Sequence, residues 1–238
     1  MKRLLCMGLL ALYATSASGA PAPLEPPPFL AGMFVYMADA ARLTECKTDR
    51  SFPVAMEGDY RRLEQAYLEA QPGPGQPLMV TIDGGIEERP RIDAPGTEPT
   101  VIVARFINTW PGETCERNRA DASLTNTYWR IVRLGDEVVH AADGGREPHI
   151  QLRAGKSQFS ATVGCNQVAG GYELIGGTLR FQSPASTMMA CPPPLDRLER
   201  LLVDSLANTK TWRITAQFLE LSDADGKPVA LLQAVYLR

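Results

Sequence analysis

The sequence predicts a mainly β protein of two small domains, each containing one helix. Short segments in which apolar and polar residues alternate recur along the chain, and Gly, Pro, Asn or Asp commonly separates them. Two segments instead repeat apolar residues at helical spacing. A polar, turn-rich stretch at residues 111–123 separates the strands into two groups, so the domain boundary is expected there.

Residues 1–20 have the layout of a cleaved export signal. Two basic residues precede an almost unbroken apolar run at 4–14, and small residues allow cleavage after Ala17 or Ala20. The run is too short to remain as a membrane span. Cys6 lies before the apolar run, which is the wrong place for an acylated cysteine. We therefore expect a periplasmic protein without a stable membrane anchor.

Residues 21–30 form a proline-rich leader, and the first domain is expected at 31–115. Its strands are predicted in GMFVYMADA, ARLTEC, SFPVA, LMVTID, IEERPRI and TVIVARF. Its helix is predicted in GDYRRLEQAYLEAQ, with Asp59 as the N-cap, and PGPGQP ends it. Three strands, a helix and further strands is the order of an OB-type barrel.

A linker at 116–123 precedes the second domain at 124–238. Short alternating strands are predicted in TYWRIVRL, HIQLRA, SQFSATV, GGYELIG, GTLRFQ, WRITA, QFLELSD and PVALLQAVYL. One amphipathic helix, PPPLDRLERLLVDSLANTK, interrupts them. This pattern indicates an antiparallel β domain with one helix.

Charge argues against a nucleic-acid partner. Lys and Arg number 24 against 27 Asp and Glu, so the formal net charge is −3. The chain has neither a basic patch nor the basic aromatic platform with which an OB-type face binds single strands.

Four cysteines follow the export signal: Cys46, Cys115, Cys165 and Cys191. An even number in an exported chain predicts disulfides, and four cysteines allow three pairings. The sequence contains no Cys-x-x-Cys and no cysteine beside a pair of histidines, so it does not predict a zinc site.

The second domain resembles the META domain of the HslJ type. The resemblance covers residues 123–238 and rests on LTNTYWRIVRL, the Gly-Cys-Asn corner in SATVGCNQVAGGYEL, STMMACP, the leucine-rich helix and LSDADGKPVALLQAVYL. It implies an exported or membrane-associated bacterial protein linked to heat shock and inhibitor resistance, without an established enzymatic activity. Met188 stands where the family has a basic residue, so the role of that residue is not carried over.

The first domain is similar to the C-terminal OB-type domain of NlpE lipoproteins, which take part in copper homeostasis and the envelope stress response. GMFVYMADAARLTECKT, FPVA, YRRLEQAYL and Cys115 carry this resemblance. The Cys-x-x-Cys and the lipidated cysteine of the NlpE N-terminal region have no counterpart in this sequence. Copper binding and membrane anchoring are therefore not expected to transfer.

With two cysteines in each presumed domain, Cys46–Cys115 and Cys165–Cys191 are the pairings that keep each disulfide inside one domain. Structural bridges are the leading interpretation. The alternative is a redox-sensing disulfide, which needs an exposed or strained bond. Cys46–Cys115 is the better candidate sensor, because Cys115 lies next to the linker.

Other side chains offer little chemistry. His140 and His149 could approach each other across a turn, but two imidazoles without a third ligand make a poor metal site. Met188 and Met189 lie close to Cys191 and could ligate a soft metal, whereas strand methionines such as Met33 are expected to fill the core. We predict no catalytic residue, no cofactor and no committed metal ligand.

We therefore expect a non-catalytic, exported envelope-stress or homeostasis factor that binds a protein of the envelope or a small ligand. The alternative is a periplasmic copper-handling protein that uses Met and His ligands. No constellation of residues supports an enzyme.

Overall fold

The structure is a computed structural model that describes residues 29–236, except residues 39, 71, 72, 74, 92 and 142–144. The predicted export signal and residues 21–28 of the predicted leader lie outside the described residues. The prediction of a mainly β chain with two domains is confirmed. Among the described residues, no helix is both long and apolar enough to cross a membrane.

The first domain contains five strands and one helix. They are β1 (Phe29–Met37), β2 (Ala40–Glu45), β3 (Ser51–Pro53), α1 (Tyr60–Ala70), β4 (Leu78–Pro90) and β5 (Thr97–Trp110). The sheet order is β3-β2-β1-β4-β5 with antiparallel neighbours. A parallel bridge between Val54 and Val101 brings the end of β3 to β5 and closes the sheet, which is the arrangement of an OB-type barrel.

Helix α1 covers the core of this barrel. Tyr60, Leu63 and Tyr67 recur at three- and four-residue steps and are buried. The ring of Tyr67 meets Phe34 of β1 edge-on at 5.4 Å. The carboxylate of Asp59, directly before the helix, accepts the backbone N–H of Phe106 at 2.8 Å and thereby ties the start of the helix to β5.

Two details of the first domain differ from the sequence prediction. Phe29 and Leu30 belong to β1 and pair with β4, so the strand includes the last two residues assigned to the leader. The segments LMVTID and IEERPRI form one strand, β4, rather than two, because bulges near Gly84 let it bend without ending. A Cβ at Gly84 would lie 2.1 Å from the carbonyl oxygen of Ile102, so glycine is required for this close approach.

The second domain contains nine strands and one helix. They are β6 (Tyr128–Leu134), β7 (Glu137–Val138), β8 (His149–Arg153), β9 (Gln158–Thr162), β10 (Val168–Ile175), β11 (Thr178–Ser186), α2 (Leu195–Asn208), β12 (Thr211–Thr215), β13 (Phe218–Ser222) and β14 (Pro228–Val235). Eight of the strands close into an antiparallel barrel because β14 pairs with β6. The two-residue β7 pairs with the end of β6 and is not part of the closed barrel.

The barrel is weakly joined between β11 and β12, which pair at Thr178 and Thr211. The connection between these strands contains α2, whose Leu198, Leu202 and Leu206 are buried in the core. The apolar face of the predicted amphipathic helix carries these leucines, and it faces the barrel interior. The opposite face of α2 forms one side of an open groove.

The two domains share an apolar core of their own. Trp110 at the end of β5 stacks on Phe218 of β13, with ring centroids 4.1 Å apart. Buried residues from both domains surround this pair: Ala31, Cys46, Met79, Ile107, Ala216 and Leu231. Strand β13 is consequently buried on both faces along its whole length.

A buried ionic network lies in the same interface. Asp83 and Arg105 come from the first domain, and Arg213 and Glu220 come from the second. Arg105 contacts Asp83 at 2.7 Å and Glu220 at 2.9 Å, while Arg213 contacts the same two carboxylates at 2.7 and 2.6 Å. Asp83 is 4% exposed and Glu220 is 1% exposed.

The network also raises the pKa of Arg213. Burial by itself lowers the pKa of this guanidinium, but the hydrogen bonds and charges of Asp83 and Glu220 outweigh burial, so the pKa is raised above its ordinary value. The Arg213 guanidinium also lies 5.0 Å from the ring centroid of Phe29. Because each carboxylate is paired with guanidinium groups from both domains, the network holds the domains together.

Candidate functional site

The Gly-Cys-Asn segment forms a tight corner between β9 and β10. Gly164 has a φ of +116°, a conformation that favours glycine. The hydroxyl of Thr162 accepts the N–H of Gly164 at 2.9 Å and donates to the carbonyl of Asn166 at 2.7 Å. The corner is therefore closed by a buried side chain as well as by its backbone.

Asn166 connects this corner to the segment that precedes α2. Its Oδ1 accepts the hydroxyl of Thr187 at 2.8 Å and the N–H of Met189 at 2.9 Å. Its Nδ2 donates to the carbonyl of Met189 at 3.0 Å and to Oε2 of Glu199 at 2.8 Å. Asn166 is buried, and these bonds satisfy both ends of its amide.

The disulfide Cys165–Cys191 lies beside this amide. Its Cα atoms are 6.0 Å apart, and it links the corner covalently to the segment that Asn166 already binds. Sγ of Cys191 is 3.2 Å from Oε2 of Glu199 and 3.1 Å from Nδ2 of Asn166. The cysteine pair, the amide and the carboxylate thus form one compact cluster.

An open groove of about 660 Å³ runs over this cluster, between residues 186–191 and the outer face of α2. Met188 is 98% exposed and Met189 is 54% exposed. Together with Ala190 and Val203 they give the groove its apolar lining. Three carboxylates, those of Asp196, Glu199 and Asp204, line it with one guanidinium, that of Arg200, which pairs with Asp196, so negative charge is in excess. Such a surface can accept an apolar ligand that carries positive charge.

The second disulfide has a different setting. Cys46 and Cys115 are bonded, and their Cα atoms are 4.9 Å apart. Cys46 is completely buried in the interdomain core, and its Sγ lies 4.0 Å from Sδ of Met79. Cys115 is half-buried, so a small-molecule reductant can approach this bond only from the Cys115 side, whereas both sulfurs of Cys165–Cys191 belong to half-buried residues.

The structure separates the Met and His residues considered as copper ligands. Met33 packs against the interdomain core, whereas Met37 is exposed. His149 stacks on Tyr128 with centroids 4.4 Å apart, and its Nδ1 is 2.9 Å from the carbonyl oxygen of Glu147. Within the part of the chain that the structure describes, neither His140 nor His149 belongs to a cluster of three metal-ligating groups.

Two residues of the site are absent from the sequence prediction. The sequence predicts the Gly-Cys-Asn corner but indicates no role for the side chain of Asn166, and it does not single out Glu199. The spacing of Leu198 and Leu202 defines the buried stripe of α2, so it places Glu199 beside that stripe. No local pattern indicates that this carboxylate meets the Gly-Cys-Asn corner, because the contact depends on where α2 packs.

Two family models match the chain. The model described as the NlpE C-terminal OB domain matches residues 24–116, and the model described as the META domain matches residues 122–236. Both resemblances inferred from the sequence are confirmed. The first domain is therefore of the NlpE C-terminal OB type, and the second is a META domain.

Similar proteins include the lipoprotein NlpE of Escherichia coli (strain K12), which is 35% identical over 85 residues. That match covers 35% of this chain and 34% of the relative, so the chain spans about a third of its length. A crystal structure of the Cpx pathway activator NlpE from Escherichia coli is 27% identical with a TM-score of 0.33, covering 46% of this chain and 54% of that chain. An NMR structure of a protein from Burkholderia xenovorans is 23% identical with a TM-score of 0.42, covering 48% of this chain and 85% of that chain.

Proposed function

We propose that this chain, which joins an NlpE C-terminal OB domain to a META domain, is a non-catalytic, exported factor of envelope stress or homeostasis. It acts by binding an envelope protein or a small ligand. The similarity to NlpE and the two disulfides support an exported envelope protein. The ligand is expected to occupy the groove over the Cys165–Cys191 cluster.

The exposed methionines of the groove are the observation that carries this proposal. Met188 and Met189 extend into solvent from a segment that Asn166 and the disulfide hold in place. Flexible thioether side chains on a fixed backbone are suited to bind apolar surfaces of varied shape. The nearby carboxylates add a preference for a ligand with positive charge.

The test is complementation of a strain that lacks the gene, with growth under heat, copper or an envelope-directed drug as the readout. Met189→Glu puts a charge into the apolar lining and is expected to fail to restore growth. Ile175→Glu is the matched control, because Ile175 is an exposed apolar residue that does not line the groove. Full complementation by Met189→Glu, or a deletion without any phenotype, would contradict the proposal.

Copper handling is the second candidate. The observation in its favour is that Met188 and Met189 both lie in the groove with Glu199, so two thioethers are available to a soft cation. Titration of the oxidised protein with Cu(I) should show tight binding that Met188→Leu combined with Met189→Leu removes. Binding no tighter than micromolar would exclude this candidate.

A further inference from the structure

Three metal-ligating side chains meet beside the groove, and two of them, Cys191 and Glu199, line it. One ligand atom each from Cys165, Cys191 and Glu199 lies within 4.8 Å of the others, the single such group of His, Cys, Asp or Glu among the described residues. In the disulfide the two sulfur atoms are bonded to each other, so they are not anionic ligands. Glu199 is then the only charged member of the cluster.

We propose that reduction of the Cys165–Cys191 bond converts this cluster into a binding site for a thiophilic d¹⁰ cation, Zn²⁺ or Cu⁺. A protein dithiol supplies two electrons and two protons, its own sulfurs become a disulfide, and Cys165 and Cys191 become thiols. The cation then displaces the two thiol protons and is held by two thiolates and the Glu199 carboxylate. Thiolates are the ligands that select such cations.

The hydrogen bonds around the cluster keep the ligands together without the disulfide. Asn166 binds both the N–H and the carbonyl of Met189, two residues before Cys191. A guanidinium nitrogen of Arg146 donates to the carbonyl of Cys165 at 2.5 Å. The backbone of Cys165 and the segment just before Cys191 are therefore held by contacts that do not depend on the disulfide.

The carboxylate is also oriented in advance. Oε2 of Glu199 accepts Nδ2 of Asn166 at 2.8 Å, and Oε1 accepts the hydroxyl of Ser186 at 3.0 Å. Partners of this kind fix the direction of a metal ligand and raise metal affinity. Nδ2 of Asn166 also lies 3.1 Å from Sγ of Cys191, so the amide, the carboxylate and the sulfur are in direct contact.

The groove gives a reductant and a cation access to this site. Cys165 and Cys191 are both half-buried, and Cys191 lines the groove. In the other disulfide Cys115 is half-buried, but Cys46 is completely buried in the interdomain core. Met188 and Met189 line the same groove and offer a thioether as a further ligand. A thioether favours Cu⁺, and the carboxylate favours Zn²⁺.

This inference goes beyond the proposed function, because it requires no partner in the groove and is tested on the purified protein. The full-length mature chain is prepared oxidised or reduced with a phosphine under nitrogen, and is titrated with Zn²⁺ or Cu⁺ against a chromophoric chelator. The reduced protein is expected to bind one equivalent, and the oxidised protein is expected to bind none through thiolates. Circular dichroism of the reduced protein checks that it stays folded.

Three variants assign the site. Cys165→Ser combined with Cys191→Ser should weaken binding by at least about 100-fold, and Glu199→Gln should weaken Zn²⁺ binding by about 10-fold. Met188→Leu with Met189→Leu should affect Cu⁺ alone. Zn²⁺ binding that survives the double Ser variant would come from other ligands and would overturn the proposal. The absence of metal binding by the reduced protein would also overturn it, and so would unfolding of the protein when the disulfide is reduced. Whether Met189→Glu restores growth of the deletion strain does not affect the metal-binding result. Each proposal can therefore be contradicted without contradicting the other.

Discussion

Replacement of Arg213 by alanine tests whether the ionic network holds the two domains together. Without this guanidinium, the carboxylates of Asp83 and Glu220 share Arg105 alone, which leaves one uncompensated negative charge in a buried interface. Breaking a buried ion pair in this way costs about 3–5 kcal/mol. The Arg213 side chain is 22% exposed, so water reduces the penalty and we expect a loss near the lower end, about 3 kcal/mol.

Urea denaturation followed by tryptophan fluorescence measures this loss, because Trp110 lies in the interface. The wild-type chain should unfold in one transition, whereas the Arg213→Ala variant should show a lower midpoint and loss of the interface signal first. Arg200→Ala is the matched control: Arg200 pairs with Asp196 one helical turn away, is 68% exposed, and should cost no more than about 0.5 kcal/mol. A loss below about 1 kcal/mol for Arg213→Ala would refute the argument that the network couples the domains.

Two further predictions concern the stability of the cluster and of the disulfides. Asn166→Ala removes hydrogen bonds from a buried amide and should lower the free energy of unfolding by about 2–3 kcal/mol, measured by urea denaturation; an unchanged midpoint would contradict the role of this side chain. Chain entropy predicts a larger loss from Cys46→Ala with Cys115→Ala, at most about 4.4 kcal/mol, than from Cys165→Ala with Cys191→Ala, at most about 3.5 kcal/mol, because their sequence separations are 69 and 26 residues. If thermal unfolding showed the larger loss of stability for the variant without Cys165–Cys191, strain or local packing would outweigh loop length.

Alternation of apolar and polar residues predicted most strands, because a barrel strand has one face in the core. The same rule misreads Glu220. In the segment FLELS this residue has the polar position expected to face water, yet it is almost completely buried. Its partner Arg105 is 115 residues away in sequence and belongs to the other domain, so no local signal records the contact.

Glycine in a strand has two meanings that the sequence alone does not distinguish. Gly84 and Gly85 were interpreted as the end of a strand, but β4 continues through them with a change of register. The missing Cβ at Gly84 is needed because a neighbouring carbonyl approaches closely. The contact of Gly84 with the neighbouring strand shows that this glycine belongs to a bulge and not to a turn. The sequence does not indicate this contact, because it depends on which strands pair.

The candidate site was predicted in part. Gly164, Cys165 and Cys191 have chemical signatures that a sequence displays: a glycine for the turn, and an even number of cysteines in an exported chain. Asn166 and Glu199 have none, because their role arises when α2 packs against the corner between β9 and β10. The residues that give the cluster its polarity were therefore the ones that pattern alone could not find.

The two buried faces of β13 have a consequence for how this protein can be divided. A META domain excised from the chain would lose the stacking of Trp110 on Phe218 and the other first-domain residues that pack in the interdomain core with Leu231. In such a fragment Glu220 would keep Arg213 but lose Arg105, and Phe218 and Leu231 would lose their apolar partners. We therefore expect the isolated META domain to aggregate more readily than the whole chain, unless polar residues replace these apolar side chains of β13 and β14.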